Sequence, residues 1–223
     1  MNLDAAHWHG EWIWSGEANQ PKPLSLFGGL PPADANDTKV LFRREFLLNT
    51  PVRTARVRLT SNSRHILYVN GCEVLRGPIR SHAHQLFFDT VDISEYLVEG
   101  INCLAVLVRY YGFATAWWEP TPLTGPGGAG GLVLEAETTD EDAESEPCGR
   151  LLLASDSSWR TTPTGAWERL RPTNLISAQI PEVFDARTLD PAWTHAGFDD
   201  STWGYAEPSS TPQFGRPAST RPP

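Results

Sequence analysis

Apolar positions in this chain follow the two-residue alternation of β-strands, with almost no helical spacing. Ile66-Leu67-Tyr68-Val69 and Val74-Leu75 flank the pair Asn70-Gly71. That arrangement predicts a hairpin, because a two-residue type I′ turn needs positive φ at both positions and Asn and Gly tolerate it best. Residues 103–108 form an almost continuous apolar run rich in Val and Leu, and Gly112 follows. The run is too short for a helix and predicts a strand buried on both faces. Residues 56–111 are therefore expected to carry the folding core.

The other segments repeat the theme. Trp12-Ile13-Trp14 predicts an edge strand docked on the main body, and residues 16–38, rich in Pro and Gly, predict a loop. Residues 40–48 predict a strand from which Arg43 and Arg44 point outward. Val57 and Leu59 predict another, and Phe87-Phe88-Asp89 a further one. Asp92-Ile93-Ser94-Glu95-Tyr96-Leu97 predicts a single helical turn capped by Asp92, with Glu95 completing a capping box, or by Ser94. Leu132, Leu134 and Ala136 alternate with Val133, Glu135 and Glu137 as a half-buried strand. Leu151-Leu152-Leu153 and Ser158-Trp159-Arg160-Thr161 add two more. Roughly eight to eleven short strands, separated by turn signals, favour an all-β antiparallel jelly-roll sandwich. The expected organisation is an N-terminal edge strand and loop over 1–38, the sandwich over 39–206, and a disordered Pro-rich tail or linker over 207–223.

Composition narrows the partners. The net charge is −9, which disfavours nucleic acid and anionic membrane, since both call for a basic face. No stretch approaches a transmembrane span and residues 1–15 lack a secretion signal, so a cytoplasmic protein is expected. Cys72, Cys103 and Cys148 are widely spaced and predict buried reduced thiols. His7 and His9 read as surface histidines, and the acidic run over 138–146 lacks the spacing of a calcium loop. No metal ligand set is predicted. The nine Trp are mostly core fillers, and some are candidates for stacking on sugar rings.

Several segments in order carry a resemblance: Phe42-Arg43-Arg44-Glu45-Phe46, Tyr68-Val69-Asn70-Gly71, Arg76-Gly77-Pro78, Phe88-Asp89-Thr90-Val91-Asp92-Ile93 and residues 97–106. Ser155-Asp156-Ser157-Ser158-Trp159-Arg160, Glu182-Val183-Phe184-Asp185-Ala186-Arg187 and Gly197-Phe198-Asp199-Asp200-Ser201-Thr202-Trp203 complete the series. Together they resemble the N-terminal β-sandwich region of bacterial α-L-rhamnosidases, glycoside hydrolase family 78, over about residues 8–206. The resemblance implies a galactose-binding-domain-like sandwich. It also implies a downstream (α/α)6 barrel bearing the catalytic acids, a barrel these residues do not contain, and sugar binding that in some relatives involves calcium. No other cofactor is expected.

Two loops and one C-terminal segment concentrate candidate ligand-binding residues. Arg80, His82 and His84 lie in a polar loop between strands. Tyr110, Tyr111, Trp117 and Trp118 form an aromatic platform, with an equal expectation that Trp117 or Trp118 plugs the end of the sandwich. Asp185 and Arg187 are orienting groups, with an internal salt bridge the favoured role. The function expected is a non-catalytic module that binds an L-rhamnose-containing saccharide or other glycan beside a downstream catalytic domain. The alternatives are an interaction module that packs on a catalytic domain without binding sugar, and a free-standing lectin. Catalysis by the chain itself is disfavoured: Glu182 with Asp185, and Asp199 with Asp200, are carboxylate pairs in turns, where caps and salt bridges are usual.

Overall fold

The structure, a computed structural model, describes residues 8–16, 37–79, 87–110, 130–138, 150–168 and 182–209, with the backbone of 218–219. The strands are β1 (Ile13–Ser15), β2 (Thr38–Leu48), β3 (Ala55–Ser61), β4 (Arg64–Val69), β5 (Cys72–Gly77) and β6 (Phe87–Asp92). They continue with β7 (Gly100–Tyr110), β8 (Leu132–Thr138), β9 (Arg150–Ala154), β10 (Arg160–Pro163), β11 (Gly204–Pro208) and β12 (Ala218–Ser219). Among the described residues no helix is long and apolar enough to cross a membrane.

Two antiparallel layers form the expected sandwich. One runs β6-β3-β8-β1, with β9 also on β8, and the other runs β10-β2-β7-β4-β5. The last long strand joins them: β11 pairs with β1 on one side and with β10 on the other. β1 is thus an interior strand held by β8 and β11, not the edge strand its aromatic pattern suggested. Pairing on both sides satisfies its backbone and buries Ile13 and Trp14. β12 lies parallel to β6 within the segment expected to be a tail.

Alternation along each strand fills the space between layers. Val40 and Phe42, Val57 and Leu59, Leu67 and Val69, and Leu104, Val106 and Val108 meet Leu132, Leu134 and Trp159 in one core. A second apolar cluster lies on the opposite face of β2, β7 and β4. There Leu41, Cys103, Ala105 and Leu107 are covered by Trp193, Leu189, Phe198 and Trp203 of the returning C-terminal segment. This second cover explains why residues 103–108 are buried on both faces.

It also overturns one expectation. Arg43 is 1% exposed, because the face of β2 it occupies is roofed by residues 193–200. Its guanidinium is satisfied by three carbonyls and two carboxylates of that roof and strand. Cys103 is buried as expected, whereas Cys72 is exposed at the hairpin.

The Asn70-Gly71 turn has the predicted positive φ at both residues, 48° and 87°. Asn70 does more than turn the chain. Its Oδ1 accepts from the Cys103 N–H at 2.8 Å, and its Nδ2 donates to Asn102 Oδ1 and to the Tyr96 carbonyl. Asn102 in turn holds Val98 and Gly100, so a satisfied buried network fixes the hairpin to the start of β7. The short 3-10 turn at Ser94–Tyr96 lies where the helical turn was expected. Asp92 Oδ1 accepts from the Ser94 N–H at 2.9 Å, an Asx-type turn in place of the capping box.

Candidate functional site

The returning segment does not seal the outer face of β4, β5 and β7. It leaves a groove of about 910 Å3 between residues 182–195 and the sheet. Strand alternation sets the floor: Ile66 and Tyr68 from β4 and Leu107 from β7 point out of the main core. The wall is aromatic. Trp167 and Phe184 form an isolated antiparallel bridge, and their rings lie 4.5 Å apart at 31°. Trp193 meets Tyr68 edge to face at 5.6 Å.

Two 3-10 turns shape the wall because acidic side chains start them. Asp185 accepts from the Arg187 N–H, and Asp190 accepts from the Ala192 N–H with Pro191 at the first position. The hairpin supplies the anchor. Gly71 N–H donates to the Thr194 carbonyl at 3.0 Å, and the His195 ring sits directly on Gly71, 2.0 Å from where a β-carbon would be.

One end of the groove is ionic. Lys39 of β2 and Arg109 of β7 are direct cross-strand partners, an arrangement that repels unless an anion intervenes. Asp37 intervenes, fully buried, with Oδ2 at 2.5 Å from Lys39 Nζ and Oδ1 at 2.5 Å from Arg109 Nε. Arg109 also pairs with Glu182 on the wall. Burial pushes the Lys39 ammonium below its ordinary range, and the bond to Asp37 works against that shift. The result is an aromatic wall beside a fixed set of donors and one outward carboxylate, Glu182. Among the described residues that line the groove, Glu182 is the only acidic one. The arrangement suits recognition of a hydroxyl-rich ring.

The sequence-predicted residues fall in three places. Arg80, His82, His84, Tyr111, Trp117 and Trp118 lie outside the described residues. Tyr110 is 4% exposed and packs edge-on against Trp14 at 5.8 Å, so its ring belongs to the core. Asp185 and Arg187 sit beside the groove and form a bidentate pair at 2.7–2.8 Å. The pair is solvent-exposed and local to its own turn, so it does not tie the segment to the sheet as an internal bridge would. Sequence reasoning missed Lys39, Arg109 and Trp167, whose proximity depends on strand pairing.

One cluster of metal-ligating groups lies among the described residues. His9, Glu135 and Glu137 bring three potential ligand atoms within 4.8 Å. Arg58 already pairs with both carboxylates, and Glu135 accepts from the His9 N–H. Calcium takes six or more oxygen ligands, and these residues do not fit it.

The sequence model described as "Alpha-L-rhamnosidase N-terminal domain" matches residues 50–223. The chain belongs to that family. An α-L-rhamnosidase of Formosa agariphila is 24% identical over 184 residues, spanning 74% of this chain and 17% of the relative. The family 78 rhamnosidase of Bacillus sp. GL1 superposes with a TM-score of 0.70 at 29% identity, over 96% of this chain and 20% of that one. A lectin of Pleurotus ostreatus, solved with GalNAc, shares the fold at a TM-score of 0.50 and 17% identity, over 96% of this chain and 47% of the lectin. This rhamnosidase N-terminal domain thus spans about a fifth of the length of the rhamnosidases it matches.

Proposed function

We propose that the chain is a non-catalytic carbohydrate-binding or substrate-positioning domain of an α-L-rhamnosidase, and that it holds a rhamnose-containing saccharide in the groove between residues 182–195 and the β4-β5-β7 face. The family match over 50–223 carries the assignment to the enzyme class. The aromatic wall of Trp167 and Phe184, set against the Lys39-Asp37-Arg109-Glu182 ionic row, supports the binding role. Sugar rings present a C–H face to the wall, and hydroxyls pair with the fixed polar groups. A downstream catalytic domain would perform the chemistry.

Titration of the chain with L-rhamnose, with and without calcium, followed by Trp fluorescence and calorimetry, tests this. Saturable binding that is lost in Phe184→Ala supports the reading. Absence of any response at millimolar sugar sinks it, and hydrolysis of an aryl rhamnoside by the purified chain overturns the non-catalytic role.

A second reading has its own observation. Leu47 and Ile101 are direct cross-strand partners at one end of the sandwich and are 62% and 57% exposed, with Val98 also exposed. A patch of this kind marks an interaction surface, and it suits packing against the catalytic domain. Under this reading Leu47→Ser with Ile101→Ser weakens association with that domain in trans and leaves sugar binding unchanged.

A further inference from the structure

Three polar side chains meet between the two layers of the sandwich. His65 of β4 lies opposite Val108 of β7 and Gly77 of β5 and is 2% exposed. Its Nδ1 is 3.0 Å from Ser61 Oγ of β3, and its Nε2 is 3.6 Å from Asp89 Oδ2 of β6. The ring therefore stands between a hydroxyl and a carboxyl group that both belong to the other layer. Nε2 and Oδ2 are buried with no hydrogen-bond partner among the described residues. Gly77 lies against both: a β-carbon there would stand 2.0 Å from Oδ2 and 2.9 Å from Nε2. Closing the pair to a hydrogen bond takes a movement of about 0.6 Å.

The surroundings decide which proton can move. A neutral imidazole carries one N–H and one bare nitrogen, and a serine hydroxyl either donates or accepts. Burial, followed by the Arg64 charge, lowers His65 to about 3, so the ring stays neutral in mildly acidic and neutral solution. Burial raises Asp89 to about 6. Arg64 and Arg109 face each other in register on the outer side of β4 and β7, and Arg76 of β5 pairs with Glu73. From β3, Leu59 faces Asp89. Asp89 is thus the titrating neighbour of the ring among the described residues.

We propose that Ser61, His65 and Asp89 form a proton relay in which the protonation state of Asp89 sets the tautomer of His65. With the carboxyl protonated, Asp89 O–H donates to Nε2 and Nδ1–H donates to Ser61 Oγ. On deprotonation the Asp89 proton passes to Nε2, and Nε2–H donates to the carboxylate. The Nδ1 proton leaves to solvent, and Ser61 O–H turns to donate to Nδ1. One proton is lost overall, and no bond between heavy atoms changes. The relay reads pH on β6 and delivers it to the adjacent strand β3 as a reversed hydroxyl, through a ring held by the other layer. The competing arrangement, an imidazolium paired with a carboxylate, places two charges inside the sandwich, where desolvation opposes them.

The test follows the imidazole nitrogens of the full chain by two-bond proton–nitrogen NMR from about pH 4.5 to about pH 7.5, with His65 assigned through His65→Gln. The two nitrogens of His65 are expected to exchange character, Nδ1 from N–H to bare and Nε2 the reverse, with a midpoint of about 6. The carboxyl carbon shift of Asp89 is expected to move with the same midpoint, and Asp89→Asn to abolish the exchange. The first two readings need only the parent protein and decide the matter should Asp89→Asn unfold. A single tautomer across the range overturns the proposal. So does an imidazolium with both nitrogens of N–H character, separate midpoints for ring and carboxyl, or an exchange that persists in folded Asp89→Asn.

Discussion

Arg43 Nε donates to the Trp193 carbonyl oxygen at 3.1 Å, a bond between residues 150 apart in the chain. The same guanidinium donates to the His195 and Phe198 carbonyls and pairs with Glu45 and Asp200. One buried side chain thus holds the segment that roofs the groove. Arg43→Met strands three carbonyls and two carboxylates and is expected to cost about 3–5 kcal/mol, read from the urea midpoint. Arg43→Lys recovers only part, since an ammonium cannot reach all five acceptors.

Gly71 lies beneath the His195 ring with φ at +87°. Gly71→Ala adds a methyl group where the ring now sits and places a β-carbon in the left-handed region. A loss of about 1–3 kcal/mol in thermal unfolding is expected, together with a shifted His195 imidazole resonance. An unshifted resonance would show that the ring does not rest on the turn.

Phe184 is 48% exposed on the groove wall. Phe184→Ala is expected to change stability by only about 0.5–1 kcal/mol, while the sugar-dependent change in Trp fluorescence disappears. Trp167, its ring partner at 4.5 Å, is the reporter.

The buried pair His65 and Asp89, with Nε2 and Oδ2 3.6 Å apart, sets opposing pH dependences. Burial raises the Asp89 carboxyl to about 6, so its contribution is full below the ordinary Asp range and is lost as pH rises through about 6. Burial, helped by the Arg64 charge, lowers His65 to about 3. Its contribution is full above about 6.5 and is lost as pH falls toward about 3. Between about pH 4 and 6 the two slopes oppose each other. Relative to the parent, Asp89→Asn should lose stability on acidification at up to about 1.4 kcal/mol per pH unit, and His65→Gln should gain it. Denaturant midpoints across that range, compared as differences from the parent, check both signs.

What could be read from the chain was what local chemistry decides. Asn70-Gly71 declares its turn through the φ values those residues tolerate, and residues 103–108 declare burial on both faces through unbroken apolarity. Arg43 could not be read, because alternation places it opposite Val40 and Phe42, on a face that looks like solvent until residues 193–200 return across it. The groove was hidden for the same reason. Lys39 meets Arg109 only through the register of β2 with β7, and Glu182 joins them only when the C-terminal segment folds back. An aspartate bridging two cations in cross-strand register occurs at Asp37 and again at Asp200, between Arg43 and Arg160, and no spacing rule within one segment reveals it.

Ile13 of β1 faces Pro208 of β11 in register. The first described strand and the last of the longer strands therefore share one seam, before the chain goes on to β12 beside β6. β1 is clasped by β8 on one side and β11 on the other, so this early strand finds its second partner only once residues 204–208 are in place.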